Sequence, residues 1–153
     1  MPASRIDAAL QEFSPEPVLF WCNGQSLESR YSSSTGFGGA AAAGKLVGVG
    51  VLRHQLGKAR LPGAVRMPRF PLVAVGASRI FLFDGPIATT APFATIRRDE
   101  VRVVYGGSAM WRRLDLITDG EAGQRSYTIM ASGLSGAGKR MERLVEELER
   151  APG

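Results

Sequence analysis

The chain has 153 residues, 44% hydrophobic and 22% charged, which fits one ordinary globular domain and excludes a disordered or fibrous chain. Its single cysteine, Cys22, excludes an intramolecular disulfide framework and a cysteine-rich zinc module, and its single histidine, His54, excludes paired-histidine metal sites. Nineteen Lys and Arg against fourteen Asp and Glu leave a net charge of +5.

The first predicted element is a helix over 4–13. Ile6, Ala9, Leu10 and Phe13 share one face, Ser4 with Asp7 resembles a capping box, and Pro15 and Pro17 end it. The apolar run Val18-Leu19-Phe20-Trp21-Cys22 suits a strand or a buried helical turn, and Asn23-Gly24 marks a turn after it. A Gly/Ala-rich segment follows, in which Gly36, Ala40, Gly44 and Gly48 recur every four residues. On a helix they would share a face that admits close approach of another helix. The spacing predicts a helix over 40–58, although glycine's helical cost of about 1 kcal/mol per residue leaves a flexible linker as the competing form.

From Phe70 the pattern becomes β. Leu72-Val73-Ala74-Val75, a turn at Gly76-Ala77-Ser78, and Arg79-Ile80-Phe81-Leu82-Phe83 read as a hairpin. Short strands are predicted over 94–97 and 101–105, around the polar turn Arg98-Asp99-Glu100. Longer ones follow over 111–118 and 126–130, joined by the loop Asp119-Gly120-Glu121-Ala122-Gly123. The closing helix carries Met141, Leu144, Val145 and Leu148 as an apolar stripe. Arg143 with Glu147 and Glu146 with Arg150 are its i,i+4 pairs.

Charge is distributed unevenly along this order. Residues 29–83 contain no acid and eight bases, Arg30, Lys45, Arg53, Lys58, Arg60, Arg66, Arg69 and Arg79, a local charge of +8 that leaves −3 elsewhere. A clustered positive field attracts phosphates, and mixed basic and apolar residues suit an anionic membrane surface. The candidate anionic-surface residues are Lys45, Arg53, Lys58, Arg60, Arg66, Arg69 and Arg79, with Leu52, Leu56 and Leu61 as a shallow apolar contact. Aromatic residues lie in apolar runs rather than between the bases, which disfavours nucleic acid.

Signals for chemistry are sparse. Two sequences approach the phosphate-binding loop, Gly39 to Gly44-Lys45 followed by Leu46 and Gly133 to Gly138-Lys139 followed by Arg140; neither has the hydroxyl that holds magnesium. Cys22 and His54 stand in unrelated segments without a glycine-rich elbow, and no carboxylates are paired at a catalytic spacing. No enzyme activity, cofactor or metal is expected. The start, Met1-Pro2-Ala3-Ser4-Arg5-Ile6-Asp7, lacks the apolar core of a secretory signal, and residues 31–52 are too rich in Ser, Gly and Ala for a membrane span. A cytoplasmic location is expected, with peripheral membrane association through the basic segment.

On the hairpin 72–83, the strand pair around Ile96 and 101–105, the hairpin through Asp119-Gly120 and the closing helix, residues 70–150 resemble bacterial pleckstrin-homology-like domains and the related GRAM domains. The resemblance implies an α+β fold, a curved seven-stranded antiparallel sheet or barrel capped by the C-terminal helix. It divides the chain into a helical, Gly/Ala-rich basic extension (1–65) and a domain (66–153). The basic phosphoinositide motif of lipid-binding members has no counterpart in Gly76-Ala77-Ser78, where only Arg79 stands beside the turn. The function this implies is a non-catalytic binding or adaptor module for an anionic lipid surface or an acidic protein. The alternatives are a homo-oligomer formed through Gly36, Ala40, Gly44 and Gly48, and a nucleotide- or nucleic-acid-binding protein.

Overall fold

The computed structural model describes residues 3–27 and 61–150. The predicted helix over 40–58 and the Gly36, Ala40, Gly44 and Gly48 face lie outside them, as do His54, the loop from Gly39 and the bases Lys45, Arg53, Lys58 and Arg60. Helix α1 (Ala3–Phe13) leads to β1 (Val18–Asn23). Then follow β2 (Pro71–Gly76), β3 (Arg79–Asp84), β4 (Ala94–Arg97), β5 (Val101–Gly107), β6 (Trp111–Gly120), β7 (Gly123–Ser132) and α2 (Gly136–Glu149). The class is α+β with a C-terminal helix, as expected.

The seven strands form two antiparallel sheets, β1-β2-β3-β4 and β5-β6-β7, rather than one closed barrel. The break has a local cause. The residues between β4 and β5 coil into a short 3-10 helix (Arg98–Glu100) that redirects the chain, so β5 pairs with β6 and not with β4. Among the described residues, isolated bridges from Gln25 to Met130 and from Ala64 to Ser126 tie segments flanking the first sheet to β7.

Burial explains why β2 and β3 are apolar throughout. Val73, Val75, Ile80 and Leu82 face the main core with Leu114, Leu116, Ile129 and the α2 residues Met141, Leu144 and Val145. Leu72, Ala74, Phe81 and Phe83 face the other way, where Ile6 and Leu10 of α1 cover them. A sheet buried on both faces needs hydrophobic residues at every position rather than at alternate ones. The Val18–Asn23 run is therefore the edge strand of the first sheet, and α1 is its outer layer, pinned by Trp21 Nε1 donating to Asp7 Oδ1 at 2.7 Å.

Four local expectations change. Ser4 lies inside α1, whose helical turns begin at Ala3, so it is not a preceding cap. Asn23-Gly24 is not a turn: Gly24 N–H donates to Pro71 O at 3.1 Å and continues the β1–β2 ladder. A side chain at Gly24 would overlap Ile129, and that close approach selects glycine. The loop between β6 and β7 shrinks to Glu121 and Ala122, because pairing extends to Gly120 and Gly123. On α2, Arg150 pairs with Glu147 at 2.8 Å rather than with Glu146, and Arg143 lies over the Phe20 ring at 5.6 Å.

Candidate anionic-surface site

Three of the seven candidate bases lie among the described residues. Arg66 and Arg69 are exposed on the segment that leads into β2. That segment is anchored at both ends: Val65 N–H donates to Ser126 O at 2.8 Å, and Arg69 O accepts from Ser26 N–H at 2.9 Å. Between them Met67 is buried in the core, which turns its neighbours outward. Arg69 stacks over Phe70 at 5.3 Å, and Phe70 itself is 43% exposed. Basic and apolar surface therefore adjoin here on a fixed backbone.

Arg79 is not part of this cluster. It sits past the far end of β2, roughly 20 Å from Arg69 by strand rise. There its guanidinium lies over Phe81 at 5.4 Å and 3.7 Å from Glu16. Glu16 also accepts from the Ser78 hydroxyl at 3.0 Å, so this turn already holds a carboxylate. Arg79 and Arg97 are opposite each other on β3 and β4, and Arg97 is engaged by Asp99 at 2.8 Å.

No protein-family model matches the chain, and no curated protein matches it.

The groups that could carry chemistry are committed to packing. Cys22 is buried in the main core, and burial pushes its thiol up to about 12, outweighing the opposing pull of Arg140. A thiol in that state is protonated at neutral pH and is not a nucleophile. Arg113 and Asp115 form a buried ion pair at 2.9 Å on β6, and Thr128 of β7 donates to the same carboxylate. No group of three or more His, Cys, Asp or Glu among the described residues can hold a metal.

The glycine-rich stretch at 133–139 joins β7 to α2. A side chain at Gly133 would overlap Ala109 O, and one at Gly138 would overlap Ser132 O, so both glycines answer to neighbouring backbone. Arg140, which stands where the phosphate-loop pattern needs a hydroxyl, donates through Nε and Nη2 to Trp21 O at 3.1 and 2.9 Å. Its guanidinium lies 3.9 Å from the Trp21 ring centre. Burial lowers the Arg140 pKa, partly offset by Cys22 and Asp7.

Met110 and Leu134 are exposed at 44% and 75% without belonging to any apolar stripe. The sequence signal that marks them is a large hydrophobe beside Gly, Ser and Ala, in stretches free of acids.

Proposed function

We propose that the chain is a non-catalytic binding module of pleckstrin-homology-like type that engages an anionic membrane surface. The observation that carries this reading is the acid-free run 29–83 with its eight bases. Its described part presents exposed Arg66 and Arg69 beside the exposed Phe70 ring. Each Lys or Arg near an anionic leaflet contributes about 1 kcal/mol, so several acting together suffice for reversible attachment. Seven antiparallel strands and a C-terminal helix are compatible with this reading. No described helix is long and apolar enough to cross a membrane.

Vesicle co-sedimentation tests the reading. At low salt the chain binds vesicles containing phosphatidylserine much more tightly than vesicles of phosphatidylcholine alone. The double variant Arg66→Glu, Arg69→Glu binds at least about tenfold more weakly. Equal binding to both vesicle types, or none to either, would overturn the reading. Capture by an acidic protein with no vesicle binding would move the function to the adaptor alternative.

A further inference from the structure

Two turns meet where β7 passes the chain to α2. The turn between β5 and β6 and the turn between β7 and α2 are joined by Gly133 N–H donating to Met110 O at 2.7 Å. Several backbone groups of each turn are bonded within it. The Ser108 hydroxyl accepts from the N–H groups of Met110 and Trp111, both at 3.3 Å, and Arg112 Nη1 donates to Ser108 O at 3.0 Å. The Ser132 hydroxyl accepts from Leu134 N–H at 3.2 Å. What projects is apolar: Leu134 is the most exposed large hydrophobic residue among those described, and Met110 adjoins it.

The surroundings are one-signed. Residues 101–114 and 122–141 contain no Asp or Glu, while Arg112, Lys139 and Arg140 lie close in sequence to the two tips. Single exposed hydrophobes are ordinary on a protein surface. Two on adjoining turns, with several backbone groups bonded, no carboxylate in either turn and a basic flank, match what an anionic lipid interface requires. Acyl chains accept the apolar tips, unbonded peptide groups would be costly there, and headgroup phosphates repel carboxylates.

We propose that this corner is a bilayer-insertion tip: Met110 and Leu134 enter the interface of an anionic membrane while Arg112 and Lys139 meet lipid phosphates. The proposal rests on the reading that the chain engages an anionic surface, but it assigns the contact to residues outside the 29–83 run. Two narrow tips suit a fluid bilayer better than the packed, complementary face of a protein partner.

The full-length chain carrying Ala109→Cys, labelled with an environment-sensitive fluorophore, tests it. Ala109 is exposed between the two turns, whereas native Cys22 is fully buried with its thiol pushed up to about 12, so the label goes to the tip. Vesicles of phosphatidylcholine with about 30 mol% phosphatidylserine are expected to shift the emission to the blue at lipid concentrations where phosphatidylcholine alone shifts it far less. Met110→Asp with Leu134→Asp is expected to cut vesicle binding at least about tenfold while leaving the thermal midpoint unchanged, since both side chains are exposed. If the labelled chain binds anionic vesicles without an emission shift, or the double aspartate variant binds as well as wild type, the tip assignment is overturned and the surface-binding reading stands. Absence of binding to any vesicle overturns both.

Discussion

Arg98 sits between two stretches of backbone that are short of donors. Its Nη1 donates to Gly76 O and Ala77 O at 2.9 and 3.3 Å, and its Nη2 donates to Glu147 O and Arg150 O at 2.8 and 3.1 Å. The last carbonyls of a helix have no partner within it, and a cation there complements the negative end of the helix dipole. One guanidinium thus ties the end of α2 to the β2–β3 turn. Replacing it with methionine keeps much of the apolar volume and removes the guanidinium donors from these carbonyls, of which Glu147 O still accepts from Arg150 N–H at 3.2 Å. Arg98→Met is therefore expected to cost about 3 kcal/mol, read from the urea midpoint. An unchanged midpoint would mean that water replaces the guanidinium. Cys22 gives a second expectation at this scale. Its folded pKa, about 12, lies above its ordinary 9.0, so on raising the pH the unfolded chain ionises first. The contribution is constant below pH 9 and is lost between 9 and 12, at about 1.4 kcal/mol per pH unit. The stability difference between wild type and Cys22→Ala, followed across that window, isolates it; a flat difference would rule the effect out.

At the scale of elements, α1 acts as a lid on a sheet face that would otherwise be wet. Ile6 and Leu10 cover Leu72, Ala74, Phe81 and Phe83, and the bond from Trp21 to Asp7 fixes their position. Leu10 is almost fully buried, so Leu10→Ala is expected to cost about 2–5 kcal/mol. If α1 lifts in consequence, Trp21 meets water and the fluorescence shifts red before global unfolding. A loss of stability without that early shift would show that α1 and the sheet unfold together. The same elements show what can be read from the chain directly. α1 and α2 carry their apolar faces at helical spacing, and the hairpin over 72–83 is continuous apolar sequence punctuated by Gly76-Ala77-Ser78; such patterns are local. Arg98 stands in a run of four charged residues, Arg97 to Glu100, that reads as a solvated turn, and only the distant end of α2 makes burying it favourable. Gly24 reads as a turn because what it must clear, the Ile129 side chain and the Met130 carbonyl, is about a hundred residues away. The division into two sheets depends on pairing partners, to which strand propensity is blind. Leu134 and Met110 escape periodicity because a turn has none.

For the whole molecule, the charge is best understood by position. The described residues carry fourteen Lys and Arg and thirteen Asp and Glu, close to balance, while residues 28–60 carry five bases and one acid. Many of the described charges are already engaged, Arg79 with Glu16, Arg97 with Asp99, Arg102 with Asp119 and Arg113 with Asp115. A lipid surface therefore meets two distinct contributions. One is a long-range field from the acid-poor run that includes Arg66 and Arg69. The other is a short-range apolar contact at Met110 and Leu134. Salt separates them, because screening shortens the reach of exposed charges from about 10 Å at 0.1 M to about 3 Å at 1 M, while apolar insertion is little weakened. Binding of wild type to anionic vesicles is expected to fall steeply as salt rises and to level at a residual set by the tips. Met110→Ser with Leu134→Ser removes the residual and keeps the slope, and Arg66→Glu with Arg69→Glu flattens the slope and keeps the residual. Identical salt profiles for the two variants would show that charge and tip do not act separately, and the division of the surface into these two parts would fall.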